Sequence, residues 1–164
     1  MTIAVHPATD RATAPAWVVV PLRLYVGAAF LSAASNKTGS ANWNHWPGWM
    51  GGVIAERLPH AAALYRPILS GIIAPHVNFF APLVAVTEIA VGIALLLGGA
   101  TRLAAAVGIL LTANYFLLDG MTVIDVSNDA AFVAGLAVLL VTGAGRVLGI
   151  DAGLVRRWPG SRLW

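Results

Sequence analysis

The sequence predicts an all-α integral membrane protein: a four-helix transmembrane bundle with interfacial amphipathic helices between helices 1 and 2. Three observations predict it. Of 164 residues, 59% are hydrophobic and only 10% are charged, against about 25% charged in an ordinary soluble domain. Mean hydropathy is +0.79, so the chain has too little polar surface to cover itself in water and must present apolar surface to lipid. The apolar residues also fall into four stretches, each near the ~20 residues that carry an α-helix across ~30 Å of hydrocarbon.

The first stretch runs from Trp17 to Ser35 and carries an internal Arg23. It reads as a retained helix, because it is longer than a signal-peptide core and follows the mixed charges of Asp10 and Arg11. The second runs from Phe79 to Leu97, after Pro75 and Asn78 mark a start, and stops at Gly98 and Gly99. The third, Leu103 to Leu118, lies between Arg102 and Asp119, and the fourth spans Ala130 to Gly145 before Arg146. The last two are short for a crossing, and Thr101 with Arg102, and Asn128 with Asp129, extend them by a turn each. The whole chain, 1–164, reads as one membrane domain ending in a basic tail over 146–164.

Short loops rich in Lys and Arg stay on the cytoplasmic side. With both termini inside, Arg11, Arg102, Arg146, Arg156, Arg157 and Arg162 are cytoplasmic. Lys37, Arg57 and Arg66 then lie outside, with Glu56, Asp119, Asp125 and Asp129. The cell membrane is the expected location, with Trp158 and Trp164 of the tail at the inner headgroup layer.

Residues 36–76 are too many for a plain connection. Trp43, Trp46 and Trp49 recur every three residues, and apolar positions from Val53 to Leu69 suit short amphipathic helices broken at Pro59 and Pro67. These read either as a cap resting on lipid or as a lid over an opening between the helices.

Ionisable groups inside a membrane are costly unless paired or facing a wet cavity, so each is a functional candidate. Arg23 shares a helix face with Gly27, Phe30, Ala34 and Lys37; Glu88 shares one with Ala81, Ala85 and Gly92, whose small size lets helices approach. By depth, Arg23 and Glu88 are expected to form an ion pair. That pair either fixes the packing register of two helices or organises a polar pocket for a headgroup or proton. Asn114 and Tyr115 on the outer half of the third helix, together with Asp119 just past its end, extend such a pocket, or the Asn bonds between helices.

The sequence has no cysteine, which removes disulfides, thiolate metal sites, iron–sulfur clusters and dithiol relays. His6, His45, His60 and His76 all fall outside the expected spans, so no haem and no metal site is expected. Ten Lys and Arg spread among apolar runs form no nucleic-acid patch.

PLRLYVGAAFLSAASNKT, with Arg23, Gly27, Phe30 and Lys37, resembles the first helix of DoxX/DoxD proteins. FAPLVAVTEIAVGIALLLGGATRLAAAVG, giving Glu88, Gly92, Gly98 and Arg102, is similar to the family's second helix and turn. GAGRVLGIDAGL, Gly143 to Leu154, resembles the closing segment of the DoxD branch. The resemblance implies a four-helix membrane subunit that, in its best-known branch, belongs to a thiosulfate:quinone oxidoreductase passing electrons to quinone and yielding tetrathionate. It implies a second protein subunit or a homo-oligomer, and a quinone bound between helices. Arg23 and Glu88 would then organise the pocket, with Lys37 and Trp46 at its outer mouth, Asn114 and Tyr115 extending it, and protons moving through Glu88. The alternative is a non-catalytic membrane anchor or scaffold for a redox complex, needing only the bundle and an exposed surface.

Overall fold

The computed structural model describes residues 16–39, 43–120 and 128–159. His6, Asp10, Arg11, Asp125, Arg162 and Trp164, to which the sequence assigned places, lie outside the described residues. Among those described there is helix and no strand.

A 3-10 turn, Ala16–Val18, leads into α1, Val19–Thr38, so the first helix runs a turn past the expected Ser35 and includes Lys37. The helix α2, Trp46–Arg57, places Pro47 in its first turn, where a missing N–H costs nothing, and ends before Pro59. Pro67 likewise sits in the opening turn of α3, Arg66–Ile68. A π turn at Leu69–Ile73 and a 3-10 turn at Ala74–His76 carry the chain into α4, Val77–Leu97. Gly98 ends α4 in the left-handed conformation, φ +64°, which favours glycine. Then follow α5, Thr101–Leu118, and α6, Asn128–Thr142.

Three stretches are long and apolar enough to cross a membrane: Ala16–Thr38, Arg66–Leu97 and Thr101–Leu118. The helix α6 is apolar but shorter, because Gly143, at φ +60°, turns the chain before the expected end at Gly145. The basic tail contains a further helix, α7, Ile150–Arg157.

The helices α1, α4, α5 and α6 close a ring: α1 packs on α4, α4 on α5, α5 on α6 and α6 on α1. The core of the ring is Val26, Phe30, Val91, Leu95, Ala105, Leu136 and Leu139. Gly27 and Gly92 face each other where α1 crosses α4, so that a Cβ on Gly92 would lie 2.8 Å from Leu31 and 3.0 Å from the Gly27 carbonyl oxygen. Absence of side chains lets the two backbones touch, which sets the register of this antiparallel pair.

A second, smaller core of Ile54, Ala61, Tyr65, Leu69 and Leu118 lies at the Lys37 end. It docks residues 46–76 over the bundle, aided by the Ala62 N–H donating to the Leu117 carbonyl at 2.9 Å and by an ion pair between Arg57 and Asp119.

Candidate functional site: a buried lysine–glutamate–tyrosine cluster beside an apolar cavity

The expected Arg23–Glu88 pair does not form. Glu88 takes its hydrogen bond and charge partner from Lys37. The Gly27–Gly92 contact explains why. With those residues level, Glu88 stands opposite residue 31, eight residues or about 12 Å from Arg23 and six residues or about 9 Å from Lys37. Helical side chains also lean toward their own N-terminus. In antiparallel helices, Glu88 therefore leans toward the Lys37 end, Lys37 leans back toward Glu88, and Arg23 leans away.

Arg23 serves a different purpose. Its guanidinium is 2% exposed and donates to the carbonyls of Ala144 at 2.8 Å, Val147 at 2.9 Å and Leu148 at 3.0 Å. It thereby ties the chain between α6 and α7 to the start of α1. Asp151 completes the tie: its carboxylate accepts from the Ala100 N–H at 2.6 Å and the Thr101 N–H at 2.9 Å, capping α5. Gly145 and Gly149 make room, since a Cβ on either would fall within 2.5 Å of Asp151, Thr101 or a backbone carbonyl.

At the other end Lys37, Glu88 and Tyr115 meet. Beyond its bond to Glu88, the Lys37 ammonium donates to the Tyr115 oxygen at 3.2 Å, and the Tyr115 O–H donates to Glu88 Oε1 at 3.3 Å. The ammonium also lies 5.1 Å from the ring centroid of Trp46 and 5.6 Å from that of Tyr115, an arrangement that stabilises a desolvated cation. Glu88 Oε2 is buried and has no hydrogen-bond partner, an uncommon condition for a carboxylate oxygen.

Tyr115 faces a cavity of about 400 Å³ between α2, α4 and α5. Its walls are mainly apolar, with Trp49, Met50 and Val53 above, Phe80, Leu83 and Val84 on one side and Leu111 on the other. The few polar groups are at its edges. Asn114, expected from the sequence, accepts a hydrogen bond from Tyr65, whose phenol is pushed above its ordinary pKa by burial and so remains a donor. Trp49 was noted in the sequence only as part of the tryptophan recurrence, and Tyr65 was not singled out; its signal was an aromatic with a polar tip inside an amphipathic run. Trp46 stacks on Trp49 with centroids 4.8 Å apart, and its indole N–H donates to the Ala81 carbonyl at 3.0 Å. These two rings separate the cavity from an outer cleft where Lys37 is lined up with Ala33, Asn36 and His45. Lys37, Glu88 and Tyr115 thus lie between an outer cleft and a partly open apolar chamber.

His76 bonds through Nδ1 to the Ile72 carbonyl at 2.9 Å, and among the described residues no three His, Cys, Asp or Glu converge. The family model described as "TQO small subunit DoxD" matches residues 18–162. The chain belongs to the DoxD family. No curated protein and no solved structure matches it. The DoxD match covers every residue of both polar clusters, and with its three long apolar helices the chain is a multi-pass membrane protein.

Proposed function

We propose that this DoxD protein is the membrane subunit of a thiosulfate:quinone oxidoreductase and that the cavity under α2 receives the quinone ring. The observation that carries this reading is the buried Lys37–Glu88–Tyr115 cluster opening through Tyr115 into an apolar chamber. The residues present fit such a group. A volume of about 400 Å³ with apolar walls and a few polar groups at the edge is typical of a small-molecule site. Leu83 both lines the chamber and is exposed on the outer face of α4, which gives an isoprenoid tail a way out to lipid.

Oxidation of two thiosulfates to tetrathionate releases two electrons, and reduction of a quinone to a quinol consumes those electrons and two protons. The chain has no cysteine and so supplies no thiol to the electron path; the second subunit would hold the thiosulfate chemistry. The residues here bind, orient and manage protons. The Tyr115 O–H, which donates to Glu88 Oε1 in this structure, would have to turn from that bond to donate to a carbonyl in the chamber, with the Lys37 ammonium 3.2 Å away as the neighbouring proton donor. Glu88 holds that ammonium in place, and the cleft beyond Trp46 returns protons to Lys37 from water. Trp46 and Trp49 keep water out of the chamber.

Four crossings with both termini at the cytoplasmic face of the cell membrane accompany this reading. The helix α6 is short for a crossing, and the 3-10 turn Ala144–Arg146 that follows the turn at Gly143 carries the chain on at that end. Arg102, Arg146, Arg156 and Arg157 gather at the end that would lie inside.

The test is a titration of the detergent-purified protein with short-tailed ubiquinone and menaquinone, with thermal unfolding as a fold control. Saturable binding is expected, about tenfold weaker in Tyr115→Phe for one lost hydrogen bond. Folded Glu88→Gln should lose quinone-dependent activity in the assembled enzyme. A folded wild type that binds neither quinone refutes the reading and leaves a membrane anchor.

A further inference from the structure

We propose that the cleft between the end of α4 and α7 binds the phosphate of an anionic phospholipid. This open cleft of about 820 Å³ is lined by Leu97, the turn Val147–Gly149, Ile150, and the side chains of Arg146 and Arg156. The local charge is strongly positive. Directly behind the turn lies the buried Arg23 guanidinium, fixed to the Val147 and Leu148 carbonyls. Arg102 and Arg146 flank Gly143 together, since a Cβ there would lie 3.3 Å from one Nε and 3.6 Å from the other. Among the described residues, Asp151 is the one carboxylate at this end, and both its oxygens already accept backbone N–H groups. Its negative charge faces the buried Arg23 rather than the cleft, whose lining residues do not include it, and a single carboxylate leaves the cluster of arginines at this end net positive.

The occupant's second property follows from the rim. Leu97, Leu148 and Ile150 line the same cleft and are all exposed, with Leu148 at 80%. Leu148 is held outward by a left-handed backbone, φ +50°, whose carbonyl is one of those gripped by Arg23. A free anion would meet only the positive charge and leave these side chains in water. A phospholipid satisfies both, with its phosphate between Arg146 and Arg156 and its acyl chains beside Leu97 and Leu148. Helix α7, with Arg156 and Arg157 in its last turn, then lies along the headgroups.

The experiment titrates delipidated protein in detergent with dioctanoyl phosphatidylglycerol, dioctanoyl phosphatidylcholine and inorganic phosphate, reading binding by native mass spectrometry and the thermal midpoint. Phosphatidylglycerol is expected to bind at least tenfold more tightly than phosphatidylcholine. Each arginine contributes roughly fivefold, so Arg156→Gln should weaken phosphatidylglycerol about fivefold with phosphatidylcholine unchanged, and Arg146→Gln with Arg156→Gln should abolish the preference. Arg156 is exposed, so the single variant decides the matter if the double variant does not fold. Equal binding of the two lipids, or a preference untouched by Arg156→Gln, overturns the proposal and points to an acidic protein partner. Inorganic phosphate protecting as well as phosphatidylglycerol at equal concentration also overturns it, because the acyl chains would then contribute nothing.

Discussion

Replacing Lys37 with Met removes the charge partner of a carboxylate whose side chain is 3% exposed, while Lys37 itself is 11% exposed. Breaking a buried pair from one side typically costs about 3–5 kcal/mol, because the remaining charge keeps its desolvation penalty and loses its compensation. Glu88 cannot move to water: it sits mid-helix, opposite the α1–α4 contact. The full penalty is therefore expected for Lys37→Met. Glu88→Gln is the milder change, about 1–2 kcal/mol, since an amide oxygen still accepts from Lys37 and the lysine already borders an open cleft into which it can turn. Combining them leaves two neutral groups of nearly the original shape, so the double variant should recover at least about 2 kcal/mol relative to the sum of the singles. Equilibrium unfolding in detergent of the wild type, both singles and the double measures this coupling. Additive effects, or singles within about 0.5 kcal/mol of wild type, would refute the idea that Lys37 and Glu88 are a coupled buried pair.

Gly92→Ala should destabilise the bundle by about 1–3 kcal/mol, because its methyl would lie 2.8 Å from Leu31, and Gly92→Leu should prevent α1 and α4 from packing; thermal unfolding that stays unchanged in both would show that the register is set elsewhere. Asp151→Ala removes both caps from the start of α5 and should cost about 1–2 kcal/mol, read from the same unfolding curves, with Asp151→Asn recovering part of the loss. Arg23→Met strips the donor from three carbonyls and should cost more than about 2 kcal/mol, while quinone affinity in any folded fraction stays within twofold; a selective loss of quinone affinity would return Arg23 to the pocket.

The helices were legible because their signals are local. Pro59 and Pro67 punctuate the segment between the first two spans as the chain alone suggests, and Gly98 stops α4 where expected. Lys37, Trp46, Glu88, Asn114 and Tyr115, picked out as polar or aromatic groups in apolar surroundings, do gather at one end of the bundle. The partner of Glu88 was not legible, since it depends on a register fixed by two glycines on different helices and on the direction in which side chains lean. The tie between the tail and the bundle was not legible for a related reason. The sequence marks a basic tail for the inner headgroup layer but carries no periodic signal for Asp151 reaching amides fifty residues earlier in the chain.

The two cations of α1 divide the work of the helix, and their chemistry matches the division. Arg23 must satisfy three carbonyls that point at it from one irregular turn, and a planar fork with five donors can do so while remaining fixed. A lysine there would leave at least one buried carbonyl to a poorer partner. Lys37 meets the opposite requirement. It faces a carboxylate, a phenol and an indole ring, and it borders the outer cleft. A point charge on a flexible stem, with three donors that can turn toward each of these partners, suits that position better than a planar fork. The rigid cation therefore stands where the fold must not move, and the flexible one stands where a buried carboxylate, a phenol and an open cleft must all be reached.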